Sequence, residues 1–361
     1  MLRYTIRRIL YAVPTLLGVL VLTYFLFFGT ASPETIARRN LSSRAPTQAQ
    51  IAQWLNDHGY GEPSEEEMKQ TGFGRTLLGL GIRPNAPPAA PAEGEAAEAE
   101  TLVDFTPSLA SRLIQLKRST VDMLLFNFGK SDTSGEDIKE RVKKGAPASL
   151  IVGSLIFWTS LFVGVSLALA FAYFRGTYVD TFGTFLCVLV MSISAVVYVI
   201  GLQFLLGKLL RYGPVWGFDT GAGLWKFLVV PVAIGVISGV GAEIRLFRTF
   251  FLDETNQDYV RTARAKGVSE AAVLSRHVFK NALIPIITST VAAIPGLILG
   301  SLLIENFFGI PGLGNFTVDA INSQDFAVVR AMVFLGTLLY IVGLVLTDIC
   351  YALVDPRVRL E

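Results

Sequence analysis

Apolar residues in this chain are gathered into runs of the length a helix needs to cross a bilayer, about 20 residues. The runs lie at 9–28, 150–174, 182–206, 224–240, 284–304 and 331–353. They predict six crossings. The run at 224 is the shortest and carries Lys226 and Pro231, and its helix can continue to Leu246 if Glu243 and Arg245 sit at the interface. Gly235 and Gly239 within it stand four residues apart, a spacing that allows close helix packing inside the subunit. The run at 284 holds Thr288, Ser289 and Thr290 and is expected to break at Pro295 and Gly296 near the bilayer middle. A break there makes sense beside protein or a water-filled path.

Between the last two pairs of runs lies a polar, basic island at 258–285, DYVRTARAKGVSEAAVLSRHVFKNALIP. Val260, Ala263 and Gly267 recur at spacings of three and four, one thin face of a helix made of small residues. Gly267 can take the φ > 0 conformation that turns the chain, and Ser269 offers a cap for a second helix. That helix has its own apolar stripe, Ala271, Leu274, Val278 and Ala282. The pattern predicts helix, turn, helix. Arg261, Arg264, Lys266, Arg276 and Lys280 fall on the other faces, so the hairpin offers a basic knob to an acidic or polar partner.

The run RTARAKG, followed nine residues later by RHVFKNALIP, resembles the cytoplasmic loop of the membrane subunits of bacterial ABC importers of the dipeptide, oligopeptide and nickel branch. Ala263 and Gly267 match the small residue and the glycine of that motif. Its opening acidic residue is Arg261 here, and its leucine and proline are replaced by Phe279 and Lys280. The segments 306–331 and 348–361 and the opening 1–27 are similar to the corresponding family segments. The resemblance covers 1–28 and 148 to the C-terminus. It implies an all-α polytopic membrane protein of the type I importer permease fold, with six transmembrane helices and a long extracytoplasmic insert after the first. In domain terms, 1–29 holds the cytoplasmic start and the first span, 30–147 the insert, 148–355 the remaining spans with a coupling loop at 247–283, and 356–361 a cytoplasmic tail. The ATPase-coupling residues it implies are Arg261, Ala263, Arg264, Lys266, Gly267, Arg276, His277 and Asn281.

Composition supports a membrane protein independently. Hydrophobic residues make up 52% of the chain and charged residues 17%, with a mean hydropathy of +0.52, more apolar than a soluble domain needs. Orientation follows from Lys and Arg in the short loops. Arg3, Arg7 and Arg8 precede the first run and seven basic residues lie at 241–281, whereas 305–326 has none. Both termini and the hairpin are therefore expected in the cytoplasm of a bacterial inner membrane protein. The 29–147 segment is then outside despite its fourteen basic residues, since long segments translocate largely regardless of charge. A net charge of +2 has no concentrated basic stripe behind it, which argues against nucleic acid. The first run is longer than a signal peptide's apolar core and is expected to stay as a helix. Cys187 and Cys350 both fall in spans, so no disulfide framework is implied.

Within the insert, 46–59 reads as a short helix capped by Thr47 with Ile51, Trp54 and Leu55 on one face. The Pro, Ala and Glu tract at 84–100 cannot bury a core and reads as a flexible excursion. Apolar residues from Leu109 to Phe128 return at helical spacing and are expected on the membrane surface, and the insert as a whole as a solvated decoration that could also meet a binding protein. Gly129, Lys130 and Ser131 imitate the end of a phosphate loop, but its first glycine would fall at Leu124 and no strand precedes it.

Serines in the spans bond their own backbone more often than they line a passage. Gln203 is the polar residue least comfortable in lipid, and with Thr288, Pro295 and Gly296 it forms the candidate translocation path. Glu305, Phe307, Phe308, Pro311 and Gly312 belong to a Gly/Pro loop, ENFFGIPGLGN, that holds aromatics at an interface. The resemblance makes that loop the outer gate or the contact for a binding protein. Asp348 is the one acid well inside a span, with Arg357 and Arg359 as ion-pair partners.

Two histidines, His58 and His277, and no clustered ligands leave no metal site and no nucleophile to argue for, so the chain is not read as an enzyme. No cofactor is expected on it. By resemblance, ATP and Mg sit on two partner ATP-binding subunits, a second homologous permease completes the path, and an extracytoplasmic substrate-binding protein selects the cargo. Peptide is the expected class, with nickel or another small solute as the variant. The rival reading, an ATP-independent secondary transporter or membrane sensor, predicts inverted repeats, and no convincing repeat is visible.

Overall fold

The computed structural model describes residues 2–30, 32–41, 46–58, 60–85, 107–211, 216–219, 221, 223–299 and 301–354. Among them the chain is helical nearly throughout, and the β pairing is a single isolated bridge between Lys130 and Asp137. In chain order the helices are α1 (Leu2–Thr30), α2 (Pro33–Asn40), α3 (Gln48–Asp57), α4 (Glu65–Gln70), α5 (Gly72–Gly79), α6 (Leu109–Lys117), α7 (Ile138–Tyr173), α8 (Tyr178–Met191) and α9 (Ala195–Gln203). There follow α10 (Leu224–Thr255), α11 (Asp258–Ala265), α12 (Glu270–Ala272), α13 (Phe279–Val291), α14 (Ile294–Leu299), α15 (Leu302–Phe308), α16 (Leu313–Asn322) and α17 (Phe326–Val354). Wider, π-helical turns continue α6, α9 and α12.

Among the described residues, four helices are long and apolar enough to cross a membrane: Leu10–Phe28 of α1, α7, α10, and Phe326–Cys350 of α17. A fifth candidate is α8 with Ala195–Leu209, bent by 91°. The expected single span at 182–206 is therefore a sharply broken one. No proline or glycine marks the break at 192–194. Its freed carbonyls are met locally: Tyr198 donates its hydroxyl to the Val190 carbonyl at 2.8 Å, and Ser192 bonds back to Val188. The run at 284–304 differs more. It is divided among α13, α14 and α15, none of spanning length alone. The chain leaves helix at Ala292 and Ala293, before Pro295, which occupies the first turn of α14, where its missing N–H costs nothing. Pro147, Pro231 and Pro285 lie inside unbroken helices, so proline alone does not decide where these helices stop.

The chain divides into two compact units. The first comprises 1–12, 141–322 and 335–361. Its central rod is α10, which packs on α8, α9, α13 and α15 and runs on to Thr255, well past the expected Leu246. Small residues set the close approaches. A Cβ on Gly235 would fall 2.5 Å from the end of Ile156, and one on Gly241 would fall 2.9 Å from the Cys187 carbonyl oxygen. Gly239, paired with Gly235 in the sequence reading, faces open space instead. Two apolar clusters result. One joins Ala168 and Ala172 of α7 to Ile244, Phe247 and Phe251 of α10 and to the 260–286 segment. The other joins Val152, Val199 and Ile234 to Ile304, Phe308 and Ile310.

The second unit comprises 13–140 and 323–334. Its short helices start on side-chain caps: Ser32 on α2, Thr47 with Gln50 on α3, Ser64 with Glu67 on α4, Thr71 on α5 and Ser108 on α6. They enclose two small cores, Ala37, Ile51, Leu55 and Tyr60, and then Met68, Leu77 and Ala110. Of the 109–128 stretch, Ala110 and Met123 are buried in this unit while Leu109, Leu124 and Leu125 stay exposed. Residues 86–100 of the Pro/Ala/Glu tract lie outside the described residues, as do Arg357 and Arg359.

Candidate functional site

The hairpin after α10 is built from the inside out. Val260 and Ala263 of α11 are buried against Val273, Leu274 and Val278 and against Phe251, which is fully buried near the end of α10. Phe251 and Phe279 stack at 6.1 Å, tying the start of α13 to α10. Gly267 closes the turn at φ +77°, a conformation open to glycine and strained for other residues. A Cβ there would meet nothing within 4 Å, so the restriction is backbone conformation and not space. Ser269 stands at the N-cap of α12, but its backbone carbonyl does the work, accepting from Val273 N–H at 2.9 Å.

Across the turn, Arg264 pairs with Glu270 in a two-pronged contact, Nε to Oε1 at 2.7 Å and Nη2 to Oε2 at 3.2 Å. Arg261 reaches Asp258 at 3.4 Å, and both side chains are largely exposed. Lys266, Gly267 and Arg276 are exposed, and His277 and Asn281 half-buried. Ala263 is the exception among the predicted coupling residues. It faces the hairpin's own core and holds the knob together instead of forming its surface.

A polar contact missed in the sequence lies at the hairpin's base. Tyr259 hydrogen-bonds Glu254 at the end of α10 and Asn281 in α13. Desolvation, helped by the Glu254 carboxylate, pushes the Tyr259 hydroxyl up to about 12, so it stays a neutral donor. A second missed contact is Arg248 of α10, which holds Asp180 at the start of α8 through Nε and Nη2 at 2.8 and 2.7 Å. Asp180 in turn accepts from Gly176 N–H, fixing the short α7–α8 turn. Asp180, the one acid between the apolar runs at 150–174 and 182–206, was the available signal.

The predicted gate is a different construction. Glu305 is 0% exposed. Its Oε2 accepts from Gly314 N–H at 2.7 Å and Asn315 N–H at 3.2 Å, in the first turn of α16, and its Oε1 accepts from Ser301 N–H at 3.2 Å. Ser149 of α7 accepts from Leu313 N–H at 2.7 Å beside it. A Cβ on Gly312 would fall 2.2 Å from the Glu305 carboxylate and 2.5 Å from the Ser149 hydroxyl. Phe308, expected at an interface, is 2% exposed in the apolar cluster, because the chain reverses at Gly309 (φ +64°) and folds it inward. Phe307 is half-buried and Pro311 exposed. The loop's glycines thus make room for a carboxylate that caps a helix.

Of the path candidates, Gln203 donates its amide to the Phe307 carbonyl at 3.3 Å. Thr288 is buried and bonds its own helix at Ile284. Gly296 is exposed with open space at its Cβ position. The hydrogen bonds of Gln203 and Thr288 thus run to backbone carbonyls of the chain and not to one another.

Residues 160–360, which carry the hairpin and the Glu305 loop, match the model of the family described as binding-protein-dependent transport system inner membrane component. The chain belongs to that family. It is similar to a Brucella abortus protein provisionally named a peptide transport system permease, at 33% identity over 76% of this chain and 90% of the relative. It is also similar to a glutathione transport system permease of Salmonella paratyphi A, at 31% identity over 68% of this chain and 79% of the relative. An oligopeptide transport system permease of Streptococcus pneumoniae shares 33% identity over 59% of this chain and 42% of its own length. Family membership and the apolar helices make this permease a multi-pass inner membrane protein, and members of this family are membrane subunits whose ATPase activity lies in separate chains.

Proposed function

We propose that this permease is one membrane half of an ATP-driven peptide importer, and that its 258–281 hairpin seats in an ATP-binding subunit. The observation that carries the reading is the hairpin's division of labour. Arg261, Arg264, Lys266 and Arg276 lie on its outside, and its apolar residues join α10 and α13 in one buried cluster. A push on the knob is then delivered to both helices as a rigid-body displacement and not absorbed in a loop.

In this reading two ATP-binding subunits hold ATP and Mg, and a second, related permease supplies the other half of the path. An extracytoplasmic binding protein delivers the cargo, and the chain crosses the membrane six times with both ends in the cytoplasm and 30–147 outside. The bent α8–α9 pair and the α13–α15 series are the broken elements beside the path, with Gln203 and Gly296 at its wall. Peptide is favoured over nickel because the named relatives serve peptide, oligopeptide and glutathione transport.

The test is Gly267→Arg in the assembled transporter. The chain is expected to reach the membrane in normal amount, to lose its ATP-binding partner on purification, and to lose ATP-dependent peptide uptake by about ten-fold or more, a coupling loss of roughly 1.4 kcal/mol. Wild-type uptake in that variant, or labelling of Lys266 from the outside only, would overturn the coupling role.

A further inference from the structure

The second unit contains a pocket of about 380 Å³, within the range of roughly 300–1,000 Å³ typical of small-molecule sites. We infer that it binds a small zwitterion, an amino acid or a dipeptide, by its carboxylate and its ammonium group. The inference does not rest on the coupling role proposed above, because none of the residues involved belongs to the hairpin.

The pocket's frame is a buried polar network. Tyr60 donates its hydroxyl to Asp132, 3.1 Å from Oδ1, and accepts from Nη2 of Arg330 at 3.1 Å. Asp132 also accepts from Ala327 N–H at 3.0 Å. Burial pushes both Tyr60 and Asp132 upward, against the pull of the Arg330 guanidinium. Asp132 is therefore committed to the protein's own groups and does not neutralise a ligand's ammonium.

The charges that remain uncommitted line the same space. Arg330 uses Nε on the Phe326 carbonyl, Nη2 on Tyr60 and its flat face on Phe28. Nη1 has no hydrogen-bond partner among the described residues. The Lys130 ammonium and the Asp122 carboxylate have no side-chain partner among them either, and all three groups line the pocket. Arg118 lines the pocket as well but is engaged by a partner of its own. The two open cations with one open acid, beside the apolar surface of Phe28 and Met123, fit a molecule with one carboxylate, one ammonium and a short apolar body. A phosphate dianion fits less well, since Asp122 would oppose it.

The pocket also has a built-in reporter. Trp54 stacks on His58 at 4.1 Å and on Tyr60 at 5.9 Å, and both rings line the cavity. The experiment is calorimetric titration of the purified full-length chain in detergent with alanyl-alanine, with its C-terminal amide and with its N-acetyl form, alongside tryptophan fluorescence. Saturable binding of alanyl-alanine is expected, with a fluorescence change that Trp54→Phe removes. Both blocked forms are expected to bind about ten-fold more weakly, the loss of one charge-assisted contact each. Lys130→Gln is expected to erase the penalty of the amide, and Asp122→Asn that of the acetyl group. Neither side chain holds the fold, so both variants keep the proposal falsifiable if Arg330→Gln, which also frees Tyr60, unfolds the unit. Absence of saturable binding to the wild-type chain, or binding that neither Lys130→Gln nor Asp122→Asn alters, would overturn it.

Discussion

Two glycine turns in the first unit, Gly267 and Gly309, share a left-handed backbone and little else. Around Gly267 the chain is open, a Cβ would meet nothing, and Lys266 beside it is an exposed charge. Around Gly309 and Gly312 the chain is packed tight, against the Trp216 ring at the first and against Glu305 and Ser149 at the second. The difference separates a turn made to present a surface from a turn made to enclose a group. Both read alike in the sequence, as turns marked by glycine, and only the packing tells them apart.

That contrast can be broken most severely at Glu305. Glu305→Ala leaves the N–H groups of Ser301, Gly314 and Asn315 without their acceptor in a buried site, and a loss of about 3 kcal/mol or more is expected, visible as a lowered unfolding temperature in detergent. An unchanged temperature would mean that the carboxylate is not the cap of α16. At the open turn the effect should be smaller. Gly267→Ala meets no atoms and strains only φ, costing about 1 kcal/mol, so the chain stays folded. The smallest effect is expected from Arg264→Gln. Its partner Glu270 is about half exposed, and the pair is worth roughly 0.5 kcal/mol or less, so the same thermal measurement should scarcely move. A large shift there would show that the pair, and not the apolar face, sets the hairpin's shape.

How much could be read in advance follows the same division. The hairpin was legible because its information is local: Val260, Ala263, Leu274 and Val278 announce their buried faces by spacing, and Gly267 announces the turn. The 91° bend at 192–194 was not, because a run of apolar residues with two serines looks the same whether straight or broken, and the hydrogen bonds that support the bend come from a tyrosine. The Glu305 loop misled for a related reason. Glycine and proline next to aromatics suggest exposure, whereas here the glycines are small so that a buried acid can fit. The second unit was the least legible, since its organising contacts join residues far apart in sequence, such as Ser131 and Asp325 at a separation of 194. No periodicity carries that information.

The aspartates of that unit have one more implication. Asp325 accepts from the backbone of Asp132 and Thr133, while Asp132 accepts from the backbone of Ala327 at the opening of α17. Each segment is fastened by the acid the other contributes, like two hands gripping each other's wrists. Loosening either grip strands the donors of both, so this corner of the protein should melt in one concerted step and show amide exchange at a common rate.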